Sequence, residues 1–144
     1  NAVLGAGEPP VAAYLAEGVP LAVGTDSLAS SPSLDLVAEG VALRALARRQ
    51  GAPAAGLDRA VVTALTAGGA AALGLTDAGV LAAGARADLA VFDVPVTGDP
   101  WAALLDHGTG RCLATVLRGR LVHRRTPSTR LAAGAEPPPG RVVP

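Results

Sequence analysis

Asp26 is the residue placed best to do chemistry. It follows the apolar run Val19-Pro20-Leu21-Ala22-Val23 and the pair Gly24-Thr25, and Ser27, Ser30 and Ser31 come within five positions after it. A carboxylate at the C-terminal end of a strand can ligate a divalent metal or take a proton from water, because the strand holds it while the loop beyond varies. The same Asp can simply open a turn or cap the next segment. Position alone leaves both readings open. The three serines could touch a substrate above that carboxylate, although loop and helix-cap duty is their commoner use.

Other reactive types are scattered. His107 and His123 stand far along the chain and read as exposed polar residues. Cys112 has no base beside it in sequence and reads as a buried apolar residue. Asp35 and Glu39 are expected on a solvated helix face, and Trp101 as packing for a short helix. Gly5, Gly7 and Gly24 lack the spacing of a phosphate-binding loop.

The elements that must position Asp26 follow from hydrophobic spacing. Residues 8–17 open with Glu8-Pro9-Pro10, place Val11, Tyr14 and Leu15 at helical intervals, and end at Gly18. Val19 to Val23 is apolar at every position, which predicts a parallel strand buried on both faces. Ser31-Pro32 suggests the start of a helix whose apolar face is Leu34, Val37, Ala38, Val41, Ala42, Ala45 and Leu46, with Arg44 off it. Gln50-Gly51 and Pro53 stop that helix. Another runs from Leu57 to Thr66, is interrupted at Gly68-Gly69, and passes through an Ala-rich turn to Leu73-Gly74.

Beyond Gly74 the texture is that of a small β-rich unit. Candidate strands are Val80–Leu81, Leu89–Val94, Leu113–Leu117 and Leu121–His123, with Arg118-Gly119 as a hairpin turn. Asp99-Pro100-Trp101 opens a brief helix to Asp106. The division predicted is 1–75, 76–125, and a disordered Pro-rich tail over 126–144.

Composition sets outer bounds. The chain has 144 residues, room for one ordinary domain with a real core or two very small ones. Twelve cations, every one an Arg, balance twelve carboxylates. With only Tyr14, Phe92 and Trp101 as aromatics, nothing forms the cationic, stacking surface that nucleic acid demands. No apolar run approaches the roughly 18 residues of a membrane span. A single cysteine excludes an internal disulfide framework and fits a reducing cytoplasm. The opening at Asn1 shows no signal peptide and reads as the middle of a longer chain.

Several stretches, in the correct order, resemble the amidohydrolase superfamily, most closely its deaminase and chlorohydrolase branch. Val19 to Ser31, around Gly24-Thr25-Asp26-Ser27, is similar to that branch's last barrel strand and loop. Asn1 with Leu4-Gly5 looks like the end of its Cys-Pro-x-Ser-Asn stretch. Ala67-Gly68-Gly69-Ala70-Ala71-Ala72-Leu73-Gly74 resembles its Gly-Ala-x-Ala-Leu-Gly helix. Gly79 to Asp93, carrying Gly84-Ala85-Arg86-Ala87-Asp88-Leu89, is similar to its G-x-x-A-D-l segment, and Val116 to Val122 to its closing hairpin. Within the branch the texture is most like the aminodeoxyfutalosine deaminases.

The resemblance implies an α/β fold: the C-terminal portion of a (β/α)8 metal-dependent hydrolase barrel, plus part of a small composite β-sandwich. Such a barrel takes about 250 residues, so this chain would hold only its last units. The implied function is hydrolytic deamination of a nucleoside or purine-like small molecule. A chlorohydrolase or cyclic-amide hydrolase of the same superfamily is the alternative, and a non-catalytic Ala-rich interaction module the rival from another class. By position Asp26 corresponds to the family's strand-eight aspartate, both catalytic residue and metal ligand. The implied cofactor is a divalent metal, zinc first and iron as the alternative, whose bound water gives Asp26 its proton. The family's His-x-His pair and later histidines have no counterpart in this sequence. One Asp does not hold zinc or iron against water, so the chain alone is expected to be inert. The Asp of the Ala-Asp-Leu motif, Asp88, is expected to anchor the turn into its strand, and Asn1 is a second candidate for substrate contact. Substrate identity and oligomeric state are left open.

Overall fold

The computed structural model describes residue 5 and residues 7–125. Five helices and three strands follow in the order α1 (Val11–Ala16), α2 (Leu36–Arg49), α3 (Leu57–Leu65), α4 (Ala67–Ala72), β1 (Leu89–Phe92), α5 (Pro100–His107), β2 (Cys112–Leu117) and β3 (Arg120–Arg124). Asn1 and the Pro-rich tail over 126–144 lie outside the described residues.

The helices make the core. Val11 of α1, Ala47 of α2, Leu57, Val61 and Val62 of α3 and Leu105 of α5 are buried together. Each helix thus packs on one side. Helix α5 falls between β1 and β2 in sequence yet packs on α2 and α3. Its start is fixed by Asp99, whose carboxylate accepts a hydrogen bond from the Trp101 N–H at 3.0 Å, with Pro100 at the first helical position. Trp101 itself is 39% exposed, so it covers this helix only in part.

Two features of the helical layer differ from the sequence expectation. Helix α2 begins at Leu36, not after Ser31, because Asp35 is the better cap: its Oδ1 accepts from the Val37 and Ala38 N–H groups. Its inward face carries Val37, Gly40, Arg44 and Ala47, while Ala42 and Ala45 are exposed. Arg44 is tolerated inside because its guanidinium donates to Asp106 Oδ1 at 2.7 Å and to the Leu105 carbonyl, and lies 3.6 Å from Asp58 Oδ1. One side chain thus ties α2 to α3 and α5. Gly68 and Gly69 do not interrupt a helix; they lie within α4. The break is at Thr66, which leaves helical geometry while its hydroxyl donates back to the Val62 carbonyl at 2.9 Å.

The sheet is antiparallel, in the order β1-β2-β3. β2 and β3 are joined by Arg118-Gly119, both with positive φ (49° and 76°), the twist a two-residue hairpin needs. Asp88 anchors this hairpin turn, where the expectation was the turn into its own strand. Its Oδ1 accepts from the Arg118 N–H at 2.7 Å, and its Oδ2 sits 3.0 Å from Arg86 Nε. Val80–Leu81 forms no strand; the chain turns at once, with the Ala85 N–H bonded to the Ala82 carbonyl. Leu89, Val91, Leu121 and Val122 stay substantially exposed.

The expected buried parallel strand at 19–23 is not formed. Val19, Pro20 and Ala22 are exposed, Leu21 and Val23 half-buried, and among the described residues no strand pairs with this segment. A ladder needs a neighbour to exchange hydrogen bonds with, and apolar composition cannot supply one. The segment is instead fastened to the α3–α4 corner: the Val23 N–H donates to the Ala64 carbonyl at 3.2 Å. A Cβ at Gly68 would stand 2.0 Å from the Leu21 carbonyl oxygen, so this close approach requires glycine.

Candidate functional site

Asp26 stands where that extended segment ends. Its φ of 56° places it in the left-handed region, which Asp tolerates better than most residues because its short polar side chain bonds locally. The local bond is present: Ser30 Oγ donates to Asp26 Oδ2 at 2.7 Å. The loop is shaped for it. The Ser27 carbonyl accepts from the N–H groups of Ser30 and Ser31 at 3.0 and 2.9 Å, folding residues 27–31 back toward the carboxylate.

The three serines, equivalent in the sequence, have three different jobs. Ser27 Oγ accepts from the Ala29 N–H and shapes the turn. Ser30 reaches Asp26. Ser31 is buried and hydrogen-bonds the Ser33 carbonyl and the Glu39 carboxylate, which fastens the loop to α2. Glu39 is therefore half-buried and engaged, not on a solvated face as its helical position suggested. Asp35 differs from expectation in the same way: besides capping α2 it accepts from the Gly110 N–H at 2.6 Å, joining the helix to the β2 entry. The signal for Asp35 was available, a carboxylate directly before an apolar run. The Asp26–Ser30 contact had only the i, i+4 spacing within a polar loop.

Asp26 is exposed and lines neither of two surface clefts. A cleft of about 330 Å³ lies between the Val19–Leu21 segment and α3, lined by Leu15, Arg59 and Thr63 among others. One of about 510 Å³ lies between the start of α2 and the sheet, lined by Val37, Phe92, Cys112, Thr115, His123 and Arg125 among others. His107 ends α5 and His123 lies on β3, both exposed, and neither shares a cation-binding cluster with Asp26. Cys112 is half-buried, not buried, with its Sγ 3.5 Å from the Ala114 carbonyl oxygen.

The described residues do not by themselves fit a divalent cation. No three His, Cys, Asp or Glu side chains among them come together as a cage. One exposed carboxylate beside a hydroxyl is too few donors to displace water from zinc or iron. Among the described residues one Asp26 carboxylate oxygen accepts from the Ser30 hydroxyl and the other takes no hydrogen bond. No helix among the described residues is long and apolar enough to cross a membrane.

Comparison with known proteins places this geometry in a family. The model of the amidohydrolase family matches residues 1–122, a span that includes Asp26, the α3–α4 corner and the closing hairpin. The chain belongs to the amidohydrolase family. It is 47% identical over 98 residues to the 5-methylthioadenosine/S-adenosylhomocysteine deaminase of Halobacterium salinarum, which covers 66% of this chain and 22% of that protein. It is 40% identical over 96 residues to the enzyme of that name from Moorella thermoacetica, covering 65% and 22%. A crystal structure of an adenosine deaminase from Xanthomonas campestris with bound zinc superposes with a TM-score of 0.71 at 30% identity, over 82% of this chain and 29% of that one. The chain thus spans about a fifth of the length of the curated relatives it matches.

Proposed function

We propose that this chain is the C-terminal part of a metal-dependent aminohydrolase that deaminates a nucleoside or purine-like substrate. Membership of the amidohydrolase family, with relatives named as deaminases of adenosine derivatives, is the observation that carries the reading. In it, residues 1–75 end a (β/α)8 barrel and 76–125 supply part of a composite β-sandwich. The extended segment 19–23, unpaired among the described residues, stands at the position of the last barrel strand.

Asp26 then lies at the rim where barrel strands end and substrates bind. Its carboxylate takes a proton from the attacking water and passes one toward the departing amine, so that water is consumed and ammonia released. Asp26 would give one ligand to a divalent metal, zinc before iron, whose other ligands would come from outside the described residues and whose chemistry would be to make water more acidic. The partner is a small molecule and the compartment the cytoplasm.

The test is product analysis on the full-length protein. Incubation with 5′-methylthioadenosine, S-adenosylhomocysteine or adenosine should release ammonia stoichiometrically with loss of the amino-purine absorbance. Chloride release from a chlorotriazine, or opening of a cyclic amide, with the nucleosides left intact would place the protein elsewhere in the family. Failure on all of these substrates by protein carrying stoichiometric metal would contradict the proposal.

A further inference from the structure

We propose that Ser30 is a positioning residue for Asp26, an inference that rests on the catalytic role proposed above for that carboxylate. An exposed Asp samples more than one staggered χ1 rotamer and rotates readily about its last torsion, which is broad and two-fold, so its two oxygens interchange. Here one of them is held. Ser30 Oγ donates to Oδ2 at 2.7 Å, and among the described residues Oδ1 takes no hydrogen bond. The arrangement sorts the carboxylate into a fixed oxygen and one left for a reacting proton.

The surrounding backbone is built around this contact. Asp26 adopts its left-handed φ of 56°, and the next four residues turn so that Ser30 returns to it. The turn does not depend on the hydroxyl alone, which also reaches the Ser27 carbonyl at 3.2 Å. Its backbone bonds run from Ser30 N–H and Ser31 N–H to the Ser27 carbonyl, and its far end is tied down by Ser31 to Glu39. Removing the Ser30 hydroxyl should therefore free the carboxylate while leaving the loop in place. The hydrogen bond is of the charge-assisted kind, the stronger class.

In the full-length protein, Ser30→Ala should lower kcat about tenfold or more, the scale of losing one hydrogen bond to a charged group, with KM within about twofold. Ser30→Thr, which restores a hydroxyl at the same carbon, should recover most of that loss. A merely structural serine would show no such split and no such rescue. Independently of turnover, NMR couplings about the Asp26 χ1 torsion should report one rotamer in the parent chain and in Ser30→Thr, and averaging in Ser30→Ala. Unchanged kcat in Ser30→Ala, or unchanged couplings, overturns the inference. Asp26→Asn separates the two claims: if it is inactive while Ser30→Ala is normal, only the role of Ser30 fails. If Asp26→Asn turns over normally, the catalytic reading of Asp26 fails, and the positioning role with it.

Discussion

The layer formed by α2, α3 and α5 and the segment from Val19 to Ser31 are both rich in apolar and small residues, yet the fold treats them differently. The helices bury Ala47, Leu57, Val61 and Leu105 against one another, together with Val11 of α1. The segment lies extended across the α3–α4 corner, held by the Val23 hydrogen bond to Ala64 and the contact at Gly68, with Val19 43% and Leu28 67% exposed. Helices satisfy their own backbone groups, whereas a strand depends on a neighbour. The part of this chain with a packed core is thus the part without the candidate chemistry, and Asp26 follows a segment with no strand partner among the described residues.

Amide hydrogen exchange breaks or sharpens this contrast most strongly. Amides of α2 and α3 should be protected by orders of magnitude over those of residues 19–31, whose backbone is largely unpaired. Uniformly strong protection from 19 to 49 would erase the distinction. Leu105→Ala, at a side chain only 2% exposed, should cost about 2–5 kcal/mol in urea unfolding. Arg44→Leu should cost about 3 kcal/mol, because it takes the donor from Asp106 and leaves the buried Asp58 Oδ1 with only the more exposed Arg48, 3.5 Å away. Gly119→Ala should cost about 1 kcal/mol, since a side chain is strained at φ 76°. Glu8→Gln, which removes the exposed pair with Arg49, should change stability by less than about 0.5 kcal/mol. A ranking with Glu8 above Leu105 would mean that the core is misplaced.

What could be read in the sequence follows the same division. Local signals located α3, α5 through its Asp99-Pro100 opening, and the Arg118-Gly119 turn, because local spacing and φ preferences decide them. Arg44 could not be read as an inward residue, since its burial depends on Asp106 and Asp58 arriving from two other helices. Residues 19–23 read as a buried strand because apolar runs record the environment a segment is suited to, not the partners present. Asp26 was legible from its place after that run and from the family-like order of motifs, but Ser30 beside it was one of three equivalent serines until the turn at Ser27 showed which one reaches the carboxylate.

The most direct measurement is the turnover of Asp26→Asn in the full-length protein with a nucleoside substrate. The account predicts a fall in kcat of at least about a hundredfold, the usual scale for losing a general base. The thermal midpoint should move by less than about 4 °C, because this exposed side chain contributes little to the core. Near-normal deamination by that variant would contradict it.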